Sequence, residues 1–186
     1  MSKKLMNKNV IWHSMNPDRV SPDEFMAVIE IPRGSKKKYE LDKETGLIYL
    51  DRVLYTSTHY PANYGFIPRT YAGDRDPLDV LVLCQEIIDP LVLVRCKPIG
   101  VIKMVDNDDV DEKIIAVPLF DPSYNCYNNL LELPSHIFDE ITHFFTVYKQ
   151  LEGKQTHVTE ILGPEDAIKI IQESIDEYDK IFLSLK

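Results

Sequence analysis

The residues with the clearest chemical potential are carboxylates, and they are unevenly placed. Asp74-Arg75-Asp76-Pro77-Leu78-Asp79 holds three acids in six residues, immediately before an apolar run. Asp106-Asn107-Asp108-Asp109-Val110-Asp111 holds four more in six, between two apolar runs. Like charges this close repel, so the loops are either fully solvated or neutralised by cations. Each cluster alone reads equally well as an acidic surface turn, because Asp and Asn bond nearby backbone. In the first cluster Pro77 biases Asp76 towards extended backbone. That lets Asp74 and Asp76 project to a similar side, with Asp79 brought round by a turn. Such hard oxygen donors suit Mg²⁺ or Mn²⁺.

Other metal motifs fail. An EF-hand needs Gly at its sixth position and Glu at its twelfth. Counting from Asp74 these are Asp79 and Gln85; from Asp106 they are Asp111 and Val117. An aspartyl-phosphate DxD site follows an apolar strand, whereas here the strand comes after the motif. There is no GxxxxGK[ST] for a P-loop, and the five histidines have no HExxH spacing.

An acidic site can still hold an anion if cations complete it. Lys38-Tyr39-Glu40, Asp51-Arg52, Tyr60 to Gly65, Lys113 and Tyr148-Lys149 each fall at a strand edge, turn or helix end. Arg grips phosphate with paired hydrogen bonds, Lys offers a point charge, and Tyr donates without adding charge. Singly, each is more often structural; Lys36-Lys37-Lys38 reads most simply as a solvated loop.

The elements that carry these residues are mostly short strands. Ala27–Ile31, Tyr39–Asp42, Leu47–Leu50, Val80–Leu83, Leu91–Val94, Ile99–Val105 and Ile114–Val117 are apolar or alternating. Lys43-Glu44-Thr45-Gly46 is a predicted hairpin turn. Such spacing points to a closed or nearly closed antiparallel barrel. The last third changes period. Ile137, Ile141, Phe144, Phe145 and Tyr148 predict one helix, capped by Ser135, with Gly153 past its end. Ala167, Ile168, Ile171, Ile175, Tyr178 and Phe182 predict another, starting near Pro164.

At 186 residues, 44 % apolar and 27 % charged, one catalytic domain spanning 1–186 is expected. The formal net charge of −9 argues against a nucleic-acid partner. No apolar run approaches the roughly 18 residues of a membrane helix, and no export signal is visible. The three cysteines form no CxxC pair. Reduced, mostly buried thiols in a cytoplasmic protein are the expectation.

Taken together, these landmarks resemble the soluble family I inorganic pyrophosphatases. The segment from Asp74 to Val80 is similar to that family's signature. Glu30-Ile31-Pro32, Lys38-Tyr39-Glu40, Asp51-Arg52, Tyr60 to Gly65, Asp106 to Lys113 and His143 to Lys149 follow in the family's order, within about 24–154. The resemblance implies a five-stranded, OB-like closed barrel with flanking helices, mainly in the C-terminal third. It implies hydrolysis of pyrophosphate with several Mg²⁺ ions. Asp74, Asp79 and Asp111 would hold the tighter metals, Asp79 and Asp111 bridging, and Asp106 one that arrives with substrate. Asp76 would be the general base. Lys38, Arg52, Tyr64, Lys113, Tyr148 and Lys149 would bind phosphate, with Glu30, Glu40 and Tyr60 in support. A homohexamer is implied for a chain this short. Two positions depart from the pattern: Arg75, usually small or short and polar, and Asn107, often acidic or Gln. Two other readings stay open, a different metal-dependent phosphohydrolase and an OB-like nucleic-acid-binding module without catalysis.

Overall fold

A computed structural model describes residues 7–106 and 109–183; Asn107 and Asp108 of the second acidic cluster lie outside them. The described residues form eight strands and three α-helices, with three short 3₁₀ turns between them. They run α1 (Ile11–Ser14), β1 (Phe25–Ile31), β2 (Lys37–Leu41), β3 (Ile48–Val53), β4 (Asn63–Phe66) and β5 (Asp79–Val82). Then follow β6 (Leu93–Asp106), β7 (Asp109–Pro118), α2 (Ser135–Val147), β8 (Thr156–Leu162) and α3 (Pro164–Phe182).

Five strands form a ring. The hydrogen-bonded order is β1-β4-β5-β7-β6, and β6 pairs back onto β1, with β8 added outside β6. The two expected strands Leu91–Val94 and Ile99–Val105 merge into one 14-residue strand, β6, which starts only at Leu93 and leaves Leu91 and Val92 in the turn before it. Pro98 is accommodated by a register shift between Pro98 and Gly100, where the missing N–H costs no ladder bond. The ring is not wholly antiparallel as expected: β5 and β7 run parallel, Asp79 opposite Lys113. The reason is topological. The pairs β1–β4, β4–β5, β1–β6 and β6–β7 are all antiparallel, so in a ring of five the remaining pair, β5–β7, must run parallel.

The strand sequences explain their own burial. On β5, Leu81 joins one core cluster while Val80 and Val82 join another; on β7, Ile115 and Val117 alternate with Ile114 and Ala116 in the same way. One face meets Phe138, Ile141, Phe144 and Phe145 of α2, and the other meets Ala167, Ile170 and Ile171 of α3. Strands covered on both faces read as continuous apolar runs. A third cluster ties Val10 and Trp12 to Leu41, Phe66 and Tyr178.

The helices depart from expectation in detail. Pro164 is the first residue of α3, as its fixed φ favours. Pro134, not Ser135, is the N-cap of α2, and no side chain caps it. Gly153, at φ 73°, ends a short 3₁₀ turn after α2. Ile168 of the expected stripe is exposed, and Ile170 is buried instead. Of the cysteines, Cys96 is buried but Cys126 is exposed; all three are free thiols. Among the described residues no helix is long and apolar enough to cross a membrane.

Candidate functional site

The chemistry-bearing residues arrive by simple periodicity. Asp111 and Lys113 are two apart on β7, and Lys38 and Glu40 are two apart on β2, so each pair shares a face. Asp79 opens β5 and Asp106 closes β6. Tyr64 stands in β4, bonded to β5 opposite Leu81. Tyr148 and Lys149 follow the end of α2. Strand ends, one helix end and the β2–β3 hairpin therefore meet around one cavity of about 760 Å³.

Most of the residues singled out in the sequence line that cavity: Glu30, Lys38, Glu40, Tyr64, Asp74, Asp76, Asp79, Asp106, Asp111, Lys113, Tyr148 and Lys149. Arg52 and Tyr60 do not. Arg52 sits on β3 opposite Lys38, and its Nε donates to Glu152 at 2.9 Å while Nη1 pairs with Asp51. Tyr60 is buried behind the wall, its ring 5.3 Å from Tyr64 and 4.8 Å from Phe144. Among the lining residues that the sequence did not mark as functional are Lys43, Tyr49 and Trp12. Tyr49 donates to Glu40 Oε2 at 2.5 Å across the hairpin, and its register against Glu40 was the one available signal.

The buried centre of the site is Lys113, only 2 % exposed. Its Nζ donates to Asp79 Oδ2 at 2.7 Å, to Asp111 Oδ1 at 2.9 Å and to the Tyr64 hydroxyl at 3.1 Å. Burial alone would lower its pKa, but Asp111 and Asp79 outweigh that and hold it well above the ordinary lysine value. Lys149 pairs with Asp106 and Lys38 with Glu40 in the same fashion.

The acids carry the opposite strain. Burial, then the neighbouring Asp79, pushes Glu30 up to about 8, although the Leu41 amide donates to it at 2.7 Å. Withdrawal from water, then Asp79, raises Asp74 to about 6. Burial raises Asp111 against the pull of Lys113. The cavity wall holds nine carboxyl groups (Glu30, Glu40, Asp42, Glu44, Asp74, Asp76, Asp79, Asp106 and Asp111) against four ammonium groups (Lys38, Lys43, Lys113 and Lys149). An excess of negative charge in a partly dry cavity calls for further cations.

Hard divalent cations fit this donor set by chemistry. Every donor is a carboxylate oxygen, the type Mg²⁺ and Mn²⁺ prefer, and Asp79 and Asp111 already share one cation, the Lys113 ammonium. Among the described residues no three acids, histidines or cysteines close round a single point. Glu40, Asp76, Asp79, Asp106 and Asp111 are instead engaged by lysines.

Comparison with known proteins is consistent with this chemistry. The family model described as Inorganic pyrophosphatase matches residues 27–179. A soluble inorganic pyrophosphatase of Chlamydomonas reinhardtii is 47 % identical over 175 residues, covering 94 % of this chain and 91 % of the relative. An inorganic pyrophosphatase of Picrophilus torridus is 45 % identical over 177 residues, covering 95 % of this chain and 100 % of the relative. The solved inorganic pyrophosphatase of Helicobacter pylori superposes with a TM-score of 0.83 at 41 % identity, covering 86 % of this chain and 95 % of its own. On the match over most of its length, the chain belongs to the inorganic pyrophosphatase family.

Proposed function

We propose that this chain, acting as one catalytic domain, hydrolyses inorganic pyrophosphate to two phosphates by metal-activated water. The observation that carries the reading is the convergence of two acidic segments and four lysines on one cavity. That is the composition needed for a small, highly charged anion held with its counter-cations. The ring of five strands supports an OB-like barrel as the scaffold. The relatives lend no support to a nucleic-acid module or to a different phosphohydrolase.

In this reading Asp74, Asp79, Asp106 and Asp111 hold Mg²⁺, with Mn²⁺ the alternative. When bound, such ions acidify water and offset the charge of the phosphate oxygens. The chain's own residues do the rest. Asp76, about half exposed at the cavity wall, takes the proton of the attacking water. Lys38, Lys113 and Lys149 supply point charges, and Tyr64 and Tyr148 donate hydroxyl hydrogen bonds without adding charge. Arg52 joins them from the hairpin by exchanging Asp51 for phosphate. Glu30, Glu40 and Tyr60 brace the wall. Charge on the departing phosphate is stabilised by these preset cations rather than by reorganised water. The resemblance further supports a cytoplasmic homohexamer.

The test is phosphate release from pyrophosphate with Mg²⁺ and then with excess EDTA, with ATP and a sugar phosphate alongside. Fast, EDTA-sensitive release confined to pyrophosphate is expected; no release with any divalent metal would refute the reading. Asp76→Asn is expected to lower the rate about 10²–10⁴-fold, and a fully active variant would remove Asp76 from the base role.

A further inference from the structure

Lys43 belongs to no part of the mechanism above, yet it reaches the proposed base. It lies in the β2–β3 turn, which is closed by its own bonds: Asp42 N donates to Leu47 O at 2.8 Å, and Gly46 N to Asp42 O at 2.7 Å. Asp42 Oδ1 and Oδ2 accept from Glu44 N and Thr45 Oγ1, at 3.0 and 2.6 Å. The turn is also docked. Asn7 Nδ2 donates to Glu44 O at 2.6 Å, while Leu41 and Ile48 pack with Val10, Trp12 and Tyr178. From this fixed base the Lys43 ammonium lies 5.3 Å from the Trp12 ring centroid and pairs with Asp76 across the cavity.

Both partners are about half exposed, at 45 % and 51 %. An ion pair that exposed adds little to stability. Holding the fold together is therefore a poor account of it. What the pair does fix is direction. Asp76 is braced on its own side, its N–H donating to Asp74 Oδ1 at 3.1 Å, and Lys43 fixes the carboxylate from the other. The same contact joins the hairpin bearing Lys38, Glu40 and Arg52 to the loop bearing Asp74 and Asp76.

We infer that Lys43 is a positioning residue, holding the Asp76 carboxylate in register with the cavity and tethering the hairpin to the acidic loop. The inference rests on Asp76 being the base. Its test compares Lys43→Met, Lys43→Arg, Asp76→Asn and Lys43→Met with Asp76→Asn, by kcat, KM and melting midpoint. Lys43→Met is expected to lower kcat about tenfold with KM and midpoint little changed. Lys43→Arg should restore most of the loss. In the Asp76→Asn background, Lys43→Met should cost nothing further, because the two act as one unit. Wild-type kcat in Lys43→Met, additive losses in the double variant, or a loss that tracks a fallen midpoint would each overturn the inference while leaving Asp76 in place. Full activity in Asp76→Asn would instead sink the reading of Asp76, and the positioning role with it.

Discussion

Arg75 sits at φ 72°, in the left-handed region that L side chains enter at a cost. Its turn is built by neighbours rather than by its side chain. Arg75 N donates to Ala72 O at 3.0 Å, Ala72 N to Asp76 O at 2.8 Å, and Asp76 N to Asp74 Oδ1 at 3.1 Å. Together these bonds point Asp74 and Asp76 into the cavity, and a glycine would satisfy them without strain. Arg75→Gly should relieve about 1–2 kcal/mol of backbone strain and lose about half of that to the freer unfolded chain. A net gain of about 0.5–1 kcal/mol is expected, read as a higher urea midpoint at unchanged slope; a lower midpoint would mean that the side chain holds the turn. Most of the site's residues were legible in the sequence because their types and order carry the chemistry. Lys43 and Glu152 were not, because their meaning lies in partners 33 and 100 residues away, Asp76 and Arg52. Arg52 reads from the sequence as a candidate phosphate ligand, and its two carboxylate partners, Asp51 and Glu152, were not legible there.

At the scale of elements, the ring depends on β1 being bonded along both edges, and Gly65 is where that is tightest. A Cβ there would lie 1.8 Å from Val28 O and 2.9 Å from Ile29 Cα, both backbone atoms that cannot swing aside. Gly65→Ala is expected to pry β4 from β1 at a cost of about 3 kcal/mol, the upper end for overpacking. It should also lower activity, because Tyr64 beside it and Asp79 opposite Phe66 ride on the same strand pair. Thermal unfolding and phosphate release together check this; a variant as stable as the parent would show that the strands can part without loss. The two long helices and the hairpin were legible because apolar period and turn residues survive in one dimension. β4 was not, because Tyr60-Pro61-Ala62-Asn63-Tyr64-Gly65 has the composition of a turn. β8 was missed because it lies outside the ring on β6, with only Thr156 fully buried. The parallel β5–β7 pair follows from closure of the ring, which no local pattern encodes.

Across the whole molecule, the first and last helices, α1 and α3, are joined beside the cavity. His13 Nδ1 hydrogen-bonds the Tyr178 hydroxyl at 2.8 Å over a separation of 165 residues. Its ring stacks on Trp12 at 4.5 Å and lies 5.0 Å from Phe182. Burial first, and then the Arg69 guanidinium, lowers the His13 pKa from 6.5 to about 4. Between those two values the unfolded chain binds a proton that the folded chain refuses, so stability rises with pH across that window. The contribution is complete above pH 6.5 and is lost as the solution is acidified towards 4. Because the ring is half-buried, the expected size is about 1 kcal/mol rather than the full shift. Glu30, raised to about 8, and Asp74, raised to about 6, push the opposite way. The raw pH profile therefore does not isolate His13; a difference between two proteins does. His13→Gln keeps an acceptor for Tyr178 but cannot titrate. Relative to the parent, it should lose less stability between pH 6.5 and 4.5 in urea titrations run with EDTA throughout. Parallel profiles for the two proteins would mean that the clasp between α1 and α3 accepts the proton without loosening, and that acid sensitivity resides in the carboxylate-lined cavity.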